Sequence, residues 1–167
     1  MKKVNNLTLL LFIISMCQIS HAQSFYELAP APFTLNSVRL SAVAFADIDG
    51  DNDQDVLITG HPLMAKLYIN DGFGNYTEVL GTPFIGVHSG TINFADIDGD
   101  NDIDILAAHD SNISWYENDG TIGDPSFIQH FVSENVNNVY SIDAYDINGD
   151  GHIDIVSASE GDKKISW

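Results

Sequence analysis

Cysteine is almost absent from this chain. The single residue, Cys17, lies within the first 22 positions, so the remainder has no means of forming a disulfide. Basic residues are scarce too: six Lys and Arg stand against 24 Asp and Glu, a formal net charge of −18. Nucleic-acid affinity comes mainly from Lys and Arg neutralising phosphates, so no nucleic-acid partner is expected. Long apolar runs are also missing. The longest, Leu7 to Ile19, is broken by Ser15 and Gln18 and falls short of the roughly 18 residues that a membrane-spanning helix needs. With Lys2 and Lys3 before it and Ser20-His21-Ala22 after it, the run reads as a secretory signal peptide cleaved after Ala22. A lipoprotein site at Cys17 fits poorly behind the bulky Met16. The mature chain is therefore expected outside the cell or on its surface, with no membrane insertion, no cysteine and a need for some other staple.

What the chain does have is one acidic loop written three times. DIDGDNDQD spans Asp47 to Asp55, DIDGDNDID spans Asp96 to Asp104, and DINGDGHID spans Asp146 to Asp154. The starts lie 49 and 50 residues apart, a period that marks a repeat architecture with one supersecondary unit per copy. Thirteen of the 24 acids fall in these loops, so most of the charge imbalance has a local purpose. The 44% hydrophobic and 10% aromatic content is enough for a packed core.

Oxygens at positions 1, 3, 5 and 9, with a backbone carbonyl at position 7, suit a hard cation that takes about six to eight oxygen ligands. The candidate ligands are Asp47, Asp49, Asp51 and Asp55, then Asp96, Asp98, Asp100 and Asp104, then Asp146, Asn148, Asp150 and Asp154. Asp53, Asp102 and His152 occupy position 7 and are assigned through their carbonyls. Gly50, Gly99 and Gly149 stand at position 4, where positive φ folds the chain back around an ion. Calcium fits best, at about three sites. Magnesium prefers a stricter octahedron and retains waters, and zinc prefers nitrogen and sulfur donors. Without a cation, carboxylates this close oppose one another's ionisation.

A helix-loop-helix calcium site would need Gly at position 6 and Glu at position 12. Position 12 is Ile58, Ala107 and Ser157, and only the third loop has Gly at position 6, as Gly151. Dockerin modules follow such loops with helices. Here Val56-Leu57-Ile58, Ile105-Leu106-Ala107 and Ile155-Val156-Ser157 follow, and these read as buried strands.

FADIDGDNDQDVLI, FADIDGDNDIDILAA and AYDINGDGHIDIVSA resemble the FG-GAP and VCBS type repeats of integrin α-subunit propellers and of many secreted bacterial proteins. The resemblance covers Ser41 to Trp167. It implies an all-β fold of four-stranded propeller blades, each holding a structural calcium ion in its loop, with the ligands named above. Asn148, Gly151 and His152 depart from the first two copies, which implies weaker binding in the third.

Aligning the repeats places residues 1–22 in the signal, 23–40 in an N-terminal outer strand, 41–90 in repeat one, 91–140 in repeat two and 141–167 in a truncated repeat three. Strands are expected to enter the loops at 43–46, 92–95 and 142–145. Third strands are expected at 66–70 and 114–118, followed by Asn-Asp-Gly turns at 70–72 and 118–120. Fourth strands are expected near 83–85 and 127–131. Ala31-Pro32-Phe33-Thr34-Leu35 resembles Thr82-Pro83-Phe84-Ile85 and is read as an outer strand. About two and a half blades fall short of the four to eight that close a propeller, so the sequence reads as a piece of a longer protein with missing blades.

No catalytic constellation stands out. His61, His88, His109, His130 and His152 fit no triad or metal motif, although His61, His109 and Glu160 end equivalent strands. Tyr68, Trp115 and Trp167 are expected in blade-to-blade core rather than on a sugar-stacking surface. Acid pairs for glycoside hydrolysis cannot be separated from calcium loops. The function expected is adhesion, or recognition of an extracellular protein or polysaccharide. The alternative is the propeller portion of a secreted polysaccharide-degrading enzyme with its chemistry elsewhere.

Overall fold

The central strands of this protein are apolar without alternation, as required of a strand covered on both faces. The computed structural model describes residues 39–167 except 63, 87–90 and 110. The expected signal peptide, nearly all of the expected N-terminal strand, and His88 lie outside the described residues.

The first sheet comprises β1 (Arg39–Ala46), β2 (Asp55–His61), β3 (Met64–Asn70) and β4 (Tyr76–Glu78). A second comprises β5 (Thr91–Ala95), β6 (Asp104–His109), β7 (Asn112–Asn118) and β8 (Phe127–Ser133). The third holds β9 (Val139–Tyr145), β10 (Asp154–Ser159) and β11 (Lys164–Ser166). Each is an antiparallel meander in which consecutive strands pair. The fold is all-β and forms propeller blades, here blades 1, 2 and 3; no helix occurs among the described residues.

The acidic loops join the first two strands of each blade. Register repeats along with sequence: Ala46 faces Asp55, Ala95 faces Asp104, and Tyr145 faces Asp154. The inner strands stand side by side, β5 against both β1 and β9. Asn93 donates from Nδ2 to Asp143 Oδ1 at 2.6 Å across the second of these junctions.

Alternate faces of the blades form the core. Leu57, Leu67 and Ile69 of blade 1 meet Ile105, Ala107 and Tyr116 of blade 2. The opposite face of blade 2 offers Leu106, Ala108 and Ile113 to Val139 and Ile142 of blade 3. Each such side chain gains about 1.5 to 3 kcal/mol from burial, so the blades stabilise one another through the stack.

The fourth strand of repeat one lies earlier than the sequence reading placed it. It is β4 at Tyr76–Glu78, and residues 83–85 form no strand. The return strand begins soon after the Asn-Asp-Gly turn, whereas Pro83 has no N–H to give a ladder. Phe84 instead wedges between blades, edge-on to Tyr116 at 5.1 Å and to Phe127 at 4.9 Å. The Ile85 N–H donates to the Tyr116 hydroxyl at 3.3 Å. Trp115 packs against the core between blades 2 and 3 as expected, but Tyr68 is buried in a cluster of its own blade with Val56 and Ile58, and Trp167 is 73% exposed.

Candidate metal centre

Each acidic loop folds around its own carboxylates. Position 1 accepts the N–H of position 6: Asn52 to Asp47 at 3.0 Å, Asn101 to Asp96 at 3.1 Å, Gly151 to Asp146 at 2.9 Å. Position 3 accepts from position 5, with Asp51 to Asp49 and Asp100 to Asp98 both at 3.3 Å and Asp150 to Asn148 at 2.8 Å. Position 5 accepts from position 7, as Asp53 to Asp51 at 2.8 Å and as Asp102 to Asp100 and His152 to Asp150 at 2.9 Å. Three sequences that differ in detail therefore share one local geometry.

Positions 4 and 6 both require left-handed backbone. Gly50, Gly99 and Gly149 have φ of 75, 82 and 77°, while Asn52, Asn101 and Gly151 have 74, 78 and 89°. Asn and Gly tolerate this region best, which explains an Asn-Asn-Gly series that the ligand pattern alone left unread.

The aspartate at position 9 is a staple. Asp55 Oδ2 accepts the Ile48 N–H at 2.8 Å and its Oδ1 accepts the Asn70 N–H at 2.8 Å. Asp104 repeats this with Ile97 at 3.0 Å and Asn118 at 2.9 Å. Asp154 accepts from Ile147 at 3.1 Å. Burial pushes the Asp55 and Asp104 carboxyls above the usual range, and the backbone N–H groups of Asn70 and Asn118 oppose that rise. Asn70 and Asn118, expected at the ends of the third strands where the Asn-Asp-Gly turns begin, thus link the third strand to the loop.

In loop 1 the carboxylates of Asp47, Asp49 and Asp55 offer oxygens within 4.8 Å of one another, and in loop 2 those of Asp96, Asp98 and Asp100 do so. Asp47 Oδ1 is buried and has no hydrogen-bond partner among the described residues. Its counterparts accept instead from Gly99 and Gly149, each at 2.7 Å. Desolvation raises the Asp98 carboxyl, and repulsion from Asp100 and Glu117 adds to the rise. An all-oxygen donor set with an orphaned buried oxygen fits a hard cation, and a cation would relieve this strain on ionisation.

The two aspartates at position 7 have side chains turned to other contacts. Asp53 lies against Gly72 and Asp102 against Gly120, so closely that a Cβ on either glycine would collide with the carboxylate. Beside these turns, Asp119 accepts from Ser126 N at 3.0 Å and Oγ at 2.7 Å and from Thr121 N at 3.1 Å. Led by the Ser126 N–H, these donors bring its carboxyl down to about 2. Away from the loops, His61 and His109 end β2 and β6, and Glu160 follows β10. His130 Nε2 meets Glu117 Oε2 at 2.6 Å, and its ring stacks on Trp115 at 4.5 Å.

A family model described as FG-GAP-like repeat matches residues 47–107 and 96–157, together more than half of the chain. A comparison with curated proteins finds no match. The chain belongs to the FG-GAP-like repeat family, and all three acidic loops lie within the matched residues.

Proposed function

We propose that this chain is a calcium-stabilised propeller module of the cell exterior that serves adhesion or recognition of a protein or polysaccharide. One observation carries the calcium reading: carboxylate oxygens converge within 4.8 Å in loops 1 and 2, and the buried Asp47 Oδ1 lacks a hydrogen-bond donor among the described residues. The ligands proposed are those at positions 1, 3, 5 and 9 with the position 7 carbonyl. When bound, the ion supplies positive charge that lets the clustered carboxylates stay ionised. The chain's own part is to pre-form the cage through its backbone hydrogen bonds.

Recognition is supported by clefts that repeat with the blades. One of about 460 Å³ lies between loops 1 and 2 and is lined by Phe45, Phe94, Asp47 and Asp102. Its counterpart of about 260 Å³ lies between loops 2 and 3, with Ile97, Ile153 and His152. Phe45 is largely exposed, so an aromatic edge sits beside carboxylates, as suits a ligand with apolar and hydrogen-bonding faces. A further blade of the same type is the partner proposed for the outer face of blade 3. There Ile165 is 78% exposed although its register equivalent, Ile113, is 2% exposed beneath blade 3.

Calcium titration of the chain by calorimetry tests the proposal. Extracellular modules bind calcium with dissociation constants of roughly 0.1 to 1 mM, and two to three equivalents of calcium are expected in that range, with magnesium much weaker. Heats indistinguishable from dilution would overturn it.

A further inference from the structure

Loop 1 is covered by blade 2. The Asn118 side-chain amide donates to Ile103 O in its own blade at 3.0 Å and to Ile48 O in loop 1 at 2.7 Å. The Gly123 N–H donates to Asp49 Oδ2 at 2.7 Å, while Asp49 Oδ1 accepts inside its own loop. Ile48, Asp49 and Asn118 are all buried at this junction. In blade 1, the Asn70 amide makes the matching bond within its blade, to Gln54 O at 3.2 Å. Loop 2 has no such cover among the described residues, and its Asp98 is exposed.

We infer that the loop 1 calcium site is a two-blade site, in which Asn118 and Gly123 of blade 2 position Ile48 and Asp49, so that cation binding and blade docking reinforce each other. The inference rests on the calcium reading above and goes beyond it, because blade 2 residues hold this cage without touching the ion. Asp49 is the joint: one carboxylate oxygen belongs to the loop and the other is fixed by the neighbouring blade. An ion that orders Asp49 orders the acceptor of the Gly123 bond, and linkage makes the effect reciprocal. The 118–123 turn thus tightens loop 1.

The test uses the chain carrying Asp98→Ala and Asp150→Ala, which leaves loop 1 as the intact site. Calorimetry reads calcium affinity there, with and without Asn118→Ala, and NMR hydrogen exchange reads the Gly123 amide. The expected result is one bound calcium, exchange at Gly123 slowed at least tenfold by it, and affinity weakened about tenfold by Asn118→Ala. One bound calcium with either quantity unchanged overturns the two-blade site and leaves the calcium reading standing. No bound calcium in the chain that keeps Asn118 overturns the loop 1 site, and titration of the unsubstituted chain then decides the calcium reading of the other loops. Should Asn118→Ala fail to fold, the Gly123 exchange decides alone.

Discussion

Replacing Asp104 by alanine should destabilise the protein by about 3 to 5 kcal/mol, and the loss should persist in chelator. The carboxylate is buried and accepts two backbone N–H groups, from Ile97 and Asn118. Alanine leaves both donors without an acceptor in a dry environment, at about 1 to 3 kcal/mol each. A fold whose whole stability is typically about 5 to 15 kcal/mol loses a large share of it. Asp104→Asn should cost less, since it keeps one acceptor and removes a charge that burial already disfavours. Asp98→Ala offers the contrast. Its carboxylate is exposed, so its effect should be confined to calcium-containing buffer. Urea unfolding of the three variants, each with calcium and with chelator, measures this; an Asp104→Ala loss that disappears in chelator would show that the residue acts through the ion and is no staple.

Tyr116→Ala should cost about 3 to 5 kcal/mol as well, through a different mechanism. Tyr116 is 2% exposed and packs in the core between blades 1 and 2, with Phe84 edge-on to its ring. Truncation removes the buried ring and opens a cavity that the rigid stack fills poorly. Tyr116→Phe keeps the ring and loses the hydroxyl, with its 3.3 Å bond from Ile85 and its contact with the Ser114 side chain, so it should cost about 0.5 to 1.5 kcal/mol. Thermal melts separate the two contributions. Equal losses in both variants would place the stability in the hydroxyl instead of the packing, contrary to the account of the interblade core.

The loops were legible in the sequence because their chemistry is local. A nine-residue cage needs carboxylates, carbonyls and left-handed backbone at fixed offsets, and the repeat shows each need three times. Strand order was legible for the same reason, since apolar runs and Asn-Asp-Gly turns recur in register. What escaped was the part decided between blades. Residues 83–85 look like strand by composition, yet the partner that places Phe84 is Tyr116, 32 residues on. Asn118 looks like a turn residue, yet its amide reaches Ile48, 70 residues back. The staple role of Asp55 and Asp104 was hidden because a buried acceptor of backbone N–H groups and a metal ligand are the same residue type at the same spacing.

Cations in these loops are proposed to help hold the blades as one fold. A thermal melt of the chain in about 1 mM calcium, repeated with excess chelator, tests it most directly. Three sites with the affinities above would contribute roughly 1 to 4 kcal/mol in total, which raises the midpoint by roughly 2 to 4 °C per kcal/mol for a chain of this size. One cooperative transition that moves up by several degrees in calcium is expected. Coincident transitions in calcium and chelator would contradict it.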